Sequence, residues 1–500
     1  MRRIITLLAA SSLAATGLLA QTPASVQQAV ASITPQDIEH RIGIIADDSM
    51  RGRDTPSPEL DETAQYIAGQ FQRFGLKPGG DDGTFLQHYG IGMMVVDPAT
   101  SGVTVNGTKA WTAGEQVILG GRGAASGSAS GTPYLISGGT GDSTALASIP
   151  KGSIILIAGL GRNARSMFRT LMELEPSALV MVSQMDPQAW SRMAANSTTP
   201  RPQLLGQGEE GGGRLTAQVQ ASAVADLLRQ HGFDPALVEP DPNRPLTVVK
   251  LDGIDLGMTV GYKMAERLSA PNVVGILEGS DPTLKNEYLV YSAHMDHIGV
   301  GRIVNGDSIN NGADDDASGT IGVVELAEAF SRLDPRPKRS IIFLTVSGEE
   351  HGLWGSEHFA ANPPVPIGQI VADLNADMIG RNWKDTIVVI GKEHSDLGAT
   401  LNRVNAEHPE LDMTAIDDIW PEENFYSRSD HYNFARRGVP VLFFFNGTHP
   451  DYHRPSDEVS KIDAEKESRI VKLMLYLGID IANAPQRPKW NPESYEKIVS

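Results

Sequence analysis

Residues 287–319 read EYLVYSAHMDHIGVGRIVNGDSINNGADDDASG. Residues 288–291 are a brief, apolar, β-prone run followed by polar loop residues, the pattern of a buried strand. His294 and Asp296 stand at the exit of that strand, and the loop beyond closes on Asp314, Asp315 and Asp316 before Ala317, Ser318 and Gly319 open an apolar-periodic helix. Three consecutive carboxylates repel one another, so they crowd a strand-helix junction only where a cation or full solvation neutralises them. A bound metal is the first inference.

The same α/β alternation runs on both sides of this stretch from residue 272. Strands are expected at 272–277, 288–291, 340–346, 370–375, 386–390 and 439–445, and helices at 318–333, 355–362, 431–436 and 463–482. Ser318 is expected to cap the first of these helices, because its hydroxyl can accept a free backbone amide there. Toward the N-terminus, 37–45 and 58–74 read as helices, the second with Leu60, Ala64, Ile67, Ala68 and Phe71 at three-to-four spacing. The turn-rich loop MRGRDTPSP lies between them. Composition shifts near residue 95, and 96–256 is rich in Gly, Ser and Thr, with strand-like runs at 153–157 and 178–182 and a helical pattern at 164–174. The run GQGEEGGG at 206–213 lacks the Lys-Ser/Thr ending of a phosphate loop, and its acidic pair would repel phosphate, so it reads as a flexible surface loop.

Five hundred residues exceed one ordinary core, and 40% hydrophobic with 21% charged residues is a soluble globular balance. The formal charge of -19 argues against a nucleic-acid partner or an anionic membrane surface. Residues 1–20, with Arg2 and Arg3 ahead of an apolar, Ser/Ala-rich stretch ending in Ala20, read as a secretory signal too short to span a membrane. No other apolar run approaches membrane length, so no membrane partner is expected once that segment is removed. Cysteine is absent, which removes disulfides, thiol nucleophiles and thiolate ligands together. Any metal must sit on His, Asp and Glu.

Five polar clusters follow strands: His294 with Asp296; Asp314, Asp315 and Asp316; Glu349 and Glu350 in SGEEHGLWGS; Asp377 in LNADMIG; and His453 in DYHRPSD. Ligands of open α/β sheets bind at the carboxyl ends of strands, so clusters far apart in sequence can converge there. Two imidazoles and three carboxylates from separate loops would suit two zinc ions with one carboxylate shared. Singly, each has a bland reading: a lone histidine is more often packed than ligating, and a Glu-Glu pair is usually a solvated face. The ordered set of five behind strands is what points to metal. His297, His351, His358, His431 and His449 read as supporting or structural, and Asp314 and Asp316 as acceptors of loop backbone hydrogen bonds or solvated groups. Asp373 lies within its strand, whereas Asp377 lies past the end of it.

The succession HMD, DDDASG, GEE, DMIG and YHRPSD resembles that of the secreted dinuclear zinc exopeptidases of peptidase family M28. The resemblance covers about 272–463 with all the metal motifs and extends more weakly over 37–87. It implies a mixed β-sheet flanked by helices, of the zinc-peptidase, phosphorylase/hydrolase-like kind, divided into 21–95 and 257–500 by an insert. Residues 131–182, within that insert (96–256), are similar to a β-rich protease-associated domain. Position by position, the resemblance implies that His294 and Asp377 hold one zinc, Glu350 and His453 the other, and Asp315 bridges them. Asp296 would orient the His294 ring, and Glu349 would be the general base.

Two such ions would polarise a scissile carbonyl and bring a shared water toward ionisation, giving a metal-bridged hydroxide. Glu349 would take its proton and return it to the leaving amine. Tyr452 could donate to the tetrahedral oxyanion, with Tyr426 or a backbone amide as alternatives. The expected activity is removal of N-terminal residues from peptide substrates. The alternatives are a carboxypeptidase or dipeptidase, with Arg428 and Arg454 able to grip a terminal carboxylate, a single-zinc glutaminyl cyclase, or an inactive binding module on the same scaffold.

Overall fold

The computed structural model describes residues 23–120, 126–140, 144–159, 170–206, 215–239, 241 and 243–499. The signal segment at 1–20, nearly all of the 206–213 loop and the first part of the 164–174 helical pattern lie outside these residues. The chain divides into two compact units, one built from 1–88 and 270–500 and the other from 89–269. The second unit is wider at both ends than the 96–256 expected from composition.

In the first unit the principal strands of the main sheet are β1 (Tyr262–Leu277, of which the part from Ala270 belongs here), β2 (Tyr288–His294), β3 (Ser340–Val346), β4 (Ile370–Ala376), β5 (Thr386–Ile390), β6 (Thr414–Ile416) and β7 (Val441–Phe445). They lie side by side in the order β1-β3-β2-β4-β7-β5-β6. Strands β3, β2, β4 and β7 are mutually parallel, while β1 runs antiparallel to β3, β5 runs antiparallel to β7, and β6 is parallel to β5. The sheet is therefore mixed, as expected. Every residue of β3, β4 and β7 is buried, and of β2 all but Tyr288. Unbroken apolar runs suit parallel strands covered on both faces. The register pairs His294 with Val346 and Ala376 with Phe444, so the loops that follow all four strands leave from one edge of the sheet.

Helices α1 (Ala24–Ser32), α2 (Pro35–Ile45), α3 (Pro58–Arg73), α4 (Gly319–Ser331), α5 (Trp354–Ala361), α6 (Leu397–Glu407), α7 (His431–Ala435), α8 (Ala464–Asn483) and α9 (Pro492–Ile498) complete the unit. Local sequence explains their starts. Ser57 accepts the Leu60 amide, Pro58 takes the first position of α3, and Glu59 and Asp61 sit in its first turn. The α3 face that points inward carries Leu60, Ala64, Ile67 and Phe71. Helix α4 is buried almost all round, consistent with its contacts to α8, α2, α1 and the sheet. Three helices, α1, α6 and α9, were not expected from the sequence.

The second unit holds a mixed six-stranded sheet, in the order 247–250, 134–137, 154–158, 178–183, 215–220 and 117–119, and a four-stranded antiparallel sheet of 108–111, 102–105, 256–260 and 127–131. Helices Pro187–Ser197 and Ala221–Gln230 accompany them, and Leu135, Leu156, Val180, Ala217, Val224 and Leu228 share its core. Among the described residues no helix is long and apolar enough to cross a membrane.

Candidate metal centre

The three aspartates before α4 divide their work. Asp316 accepts from the backbone amides of His294 (3.2 Å), Gly319 (2.8 Å) and Met378 (3.1 Å), so it ties the ends of β2 and β4 to the start of the helix. Asp314 accepts from the Gly380 amide at 2.7 Å. Both are buried acceptors of loop amides. Asp457 in turn accepts the amides of Asp314 (3.0 Å) and Asp315 (3.2 Å). Only the Asp315 side chain is left to face the other clusters. Ser318 does not cap α4 as expected: its hydroxyl donates to the Asp314 carbonyl at 2.8 Å and accepts the Ile379 amide at 3.0 Å, while Asp316 takes the Gly319 amide that a cap would hold. A longer carboxylate two residues upstream reaches that amide, which frees the hydroxyl to brace the loop after β4.

The five expected metal residues come together. His294 Nε2 lies 3.4 Å from Asp315 Oδ1 and 3.6 Å from Asp377 Oδ1. His453 Nε2 lies 3.2 Å from both Asp315 Oδ2 and Glu350 Oε2. Two sets of donors, His294-Asp315-Asp377 and His297-Asp315-Glu350, each have atoms within 4.8 Å of one another, and Asp315 is common to both. Asp315 Oδ2, Glu350 Oε1 and both ring nitrogens of His297 are buried without a hydrogen-bond partner among the described residues. Orphaned donors of this kind are costly in an interior, and a nitrogen-and-oxygen set without thiolate suits a hard or borderline divalent cation. The residues present fit a pair of such ions.

The electrostatics point the same way. Burial depresses the His294 imidazolium, yet the carboxylates of Glu349 and Asp377 outweigh it and hold its pKa well above the ordinary value. Burial works against the His453 imidazolium too, but Asp315 and Glu350 lift it to about 10. Burial pushes the Glu349 carboxyl well up, reinforced by Asp430, Asp377 and Glu350. The cavity carries more negative charge than its imidazoles balance, and a bound cation would correct that.

Glu349 Oε2 stands 4.0 Å from His294 Nε2. Asp296 is fully buried under His294, with its backbone carbonyl 3.2 Å and its carboxylate 3.6 Å from Nδ1. That carboxylate accepts from the Thr55 hydroxyl (3.0 Å) and the Glu349 amide (3.3 Å). Ser429 donates to Asp377 Oδ2 at 2.9 Å. Beneath the whole cluster, Arg53 is fully buried and donates to the carbonyls of Ile45, Met295, Asn311 and Gly312. Neither Arg53 nor Thr55 was singled out from the sequence, where they are ordinary residues of the MRGRDTPSP loop. His297 was set aside as supporting, and the structure brings it into the donor set.

The comparisons with known proteins bear on this arrangement directly. Residues 272–478 match the model of "Peptidase family M28", the span that carries every donor described above. That span is similar to peptidase family M28. A "probable zinc metalloprotease" of Pyrenophora teres f. teres is 27% identical to this chain over 271 residues, covering 45% of the chain and 55% of that protein. A "probable leucine aminopeptidase" of Arthroderma otae is 26% identical over 230 residues, 44% of the chain and 60% of that protein. The chain spans little more than half the length of these curated relatives. Among solved structures, the aminopeptidase from Aneurinibacillus sp. strain AM-1 superposes with a TM-score of 0.52 at 18% identity, covering 93% of this chain and 98% of that one, a likeness of fold.

Within the matched segment the donors open onto a hollow continuous with solvent. His294, Asp315, Glu349 and Asp377 form one wall, and Met378, Phe425, Phe443, Phe445 and Tyr452 supply an apolar one. Tyr452 stacks on the His453 ring with centroids 3.8 Å apart, and burial keeps its phenol protonated by raising its pKa. Tyr426 is not among the lining residues; it packs against His431 and Tyr432. Arg428 reaches the rim, 4.7 Å over the Phe425 ring and 3.7 Å from Glu423.

Proposed function

We propose that this protein is an exported exopeptidase that holds two zinc ions on His294, Asp315, Glu350, Asp377 and His453 and removes N-terminal residues from peptides. The observation that carries the reading is the position of Asp315, whose two oxygens face separate imidazoles beside an uncommitted glutamate. Export rests on the composition of residues 1–20, and the peptide substrate on the family.

When bound, the two ions would polarise the scissile carbonyl and acidify the attacking water. Glu349 accepts a proton from that water and delivers it to the departing amine, so the carboxylate is restored after each turnover. Glu350 instead faces His297 at 2.8 Å and His453 at 3.2 Å, which separates the roles of the two adjacent glutamates. Tyr452 keeps an O–H at the mouth and is placed to donate to the carbonyl oxygen as it gains charge. Asp296 holds the His294 ring from behind. The apolar wall of Phe425, Phe443, Phe445 and Met378 favours a large apolar side chain on the residue removed.

Arg428 at the rim gives the carboxypeptidase reading its one specific support, since a guanidinium can grip a terminal carboxylate. Hydrolysis of matched peptides, N-acetylated or C-amidated, decides between them. N-acetylation abolishes turnover and C-amidation leaves it intact if the free amine is recognised; the reverse pattern makes the enzyme a carboxypeptidase. Repeating the assay after chelation and after zinc add-back tests the metal requirement.

A further inference from the structure

We infer that Asn272 is a positioning residue for the reaction: its buried carboxamide clamps both ends of the loop, residues 347–355, that presents Glu349 and Glu350. The inference rests on the roles given to those two glutamates above. It adds to them a residue of β1, a strand that carries none of the metal donors.

The loop leaves β3 at Ser347 and rejoins regular structure in the first turn of α5. Its two ends come back together: the Gly355 amide donates to the Ser347 carbonyl at 2.9 Å, and the Trp354 amide to the Gly348 carbonyl at 3.0 Å. Farther out, the Gly352 and Leu353 amides donate to the Glu349 carbonyl at 2.9 and 3.0 Å. The loop is thus a closed arm on a narrow neck. A side chain on such an arm is placed only as well as the neck is held by its surroundings.

Asn272 occupies that neck. It has no solvent exposure, and Val273 beside it pairs with Thr345 of β3. Its Oδ1 accepts the Ser347 amide at 3.2 Å, while Nδ2 donates to the Gly355 carbonyl at 2.9 Å and to Gln87 Oε1 at 3.1 Å. One planar amide, with acceptor and donor both matched, therefore ties the end of the strand to the start of the helix. A Cβ on Gly355 would stand 2.3 Å from Asn272 Oδ1 and 2.4 Å from the Ser347 carbonyl, so glycine is what allows the close approach. Gln87, also buried, sets which way the Asn272 amide faces, and its own Nε2 donates to the Asn362 carbonyl at 2.8 Å. Asn362 follows α5, so both ends of that helix are tied to Asn272 or to its partner.

The division of work along the arm follows. The Gly348 and Glu349 amides are taken by Thr55 and Asp296, on the side of the metal centre. Asn272 takes the Ser347 amide just before them, at the root. A tilt at the root displaces Glu349 and Glu350 together, and an error of about 1 Å in a reacting group costs about 10²-fold in rate. The apolar wall of the hollow comes from Met378, Phe425, Phe443 and Phe445, all outside this loop. Loss of Asn272 should therefore reach kcat and metal retention and spare the binding of the substrate side chain.

The test compares the whole wild-type protein with Asn272→Ala and Gln87→Met, using hydrolysis of leucyl nitroanilide and zinc retention against a graded chelator. The folded fraction of each protein is fixed by circular dichroism and urea unfolding. Per folded molecule, Asn272→Ala should lose about 10- to 100-fold in kcat and at least about 10-fold in zinc affinity, the scale on which residues behind a metal site act. KM should stay within about two-fold, because the interaction lost is not one made with bound substrate. Gln87→Met should shift both quantities in the same direction by less, since Asn272 keeps its two loop contacts. A loss of activity that only tracks the folded fraction, or a raised KM with kcat intact, overturns the proposal. If Asn272→Ala does not fold, Gln87→Met decides, and wild-type kcat with wild-type zinc retention in it contradicts the role of Asn272 while leaving those of the glutamates standing. Wild-type protein that neither retains zinc nor hydrolyses the substrate sinks both.

Discussion

The Thr55 hydroxyl donates to Asp296 Oδ2 at 3.0 Å and accepts the Gly348 amide at 3.0 Å. A single buried oxygen thereby joins the loop between α2 and α3 to the residue behind His294 and to the turn that presents Glu349. Replacing it by valine keeps the shape and removes both bonds. Thr55→Val should cost about 1–3 kcal/mol in urea unfolding, the penalty for unsatisfied buried partners, and lower turnover through the displaced Glu349. Thr55→Ser should restore both. Equal stability of the valine and wild-type proteins would show that the hydroxyl is dispensable.

Arg53 offers a sharper case, because its guanidinium is the donor for four carbonyls in three segments: Ile45 at the end of α2, Met295 just after β2, and Asn311 and Gly312 in the loop before α4. Its charge also acts on the buried carboxylates of Asp296, Asp315, Asp316 and Asp457. Arg53→Met should destabilise the protein by about 3–5 kcal/mol, as does removing one partner from a buried charged network. Arg53→Lys should recover only part of this, since an ammonium cannot reproduce the planar fork. The midpoint and slope of denaturant unfolding measure both.

Glu349→Gln alters one atom at the rim of the donor set and leaves the donors themselves in place. It should keep the wild-type metal content and lose about 10²- to 10⁴-fold in kcat, the usual contribution of a positioned base. Elemental analysis and steady-state kinetics on the same preparation check the two halves. A variant that hydrolyses at the wild-type rate removes Glu349 from the mechanism.

Away from the centre, Arg41 lies 2.7 Å from Glu325 and is also paired with Glu328. One cation cannot neutralise both. Burial raises the Glu328 carboxyl, but Arg41 and Arg332 together bring it below its ordinary value, whereas burial takes Glu325 up to about 8 against a reference of 4.5. The folded state therefore binds a proton at Glu325 that the unfolded state releases between those values. Stability from this group is full below about pH 4.5 and is lost as pH rises through 8. In metal-free protein, Glu325→Gln should flatten that decline and be the more stable form at pH 9. Identical pH slopes for variant and parent would exclude a protonated Glu325.

How much of this was legible in the sequence follows from where each residue sits. Strands β2, β3, β4 and β7 were readable because buried parallel strands are short, mostly apolar runs, and polar residues stand at or just past their ends. That made His294, Glu349, Glu350 and Asp377 visible as strand exits. His297 was not visible, because it lies three residues beyond β2 on irregular chain, where no periodicity says which way a side chain points. Arg53 and Thr55 were hidden for another reason: apart from Ile45, their partners lie more than 240 residues away, and a turn-rich loop carries no mark of burial. Ser318 misled because its local pattern is that of a cap, and a tertiary demand, the Ile379 amide, competes for its hydroxyl. Helix α6, with Leu397, Leu401 and Val404 inward among polar neighbours, had a readable but sparse apolar stripe.

The central claim is that the two oxygens of Asp315 serve two cations, one toward His294 and Asp377 and the other toward Glu350 and His453. Anomalous diffraction at the zinc edge, from crystals of protein purified without chelator, tests it most directly. Two peaks flanking Asp315, one within bonding distance of His294 and the other of Glu350, are the predicted result. A single peak, or none with these side chains ordered, contradicts it.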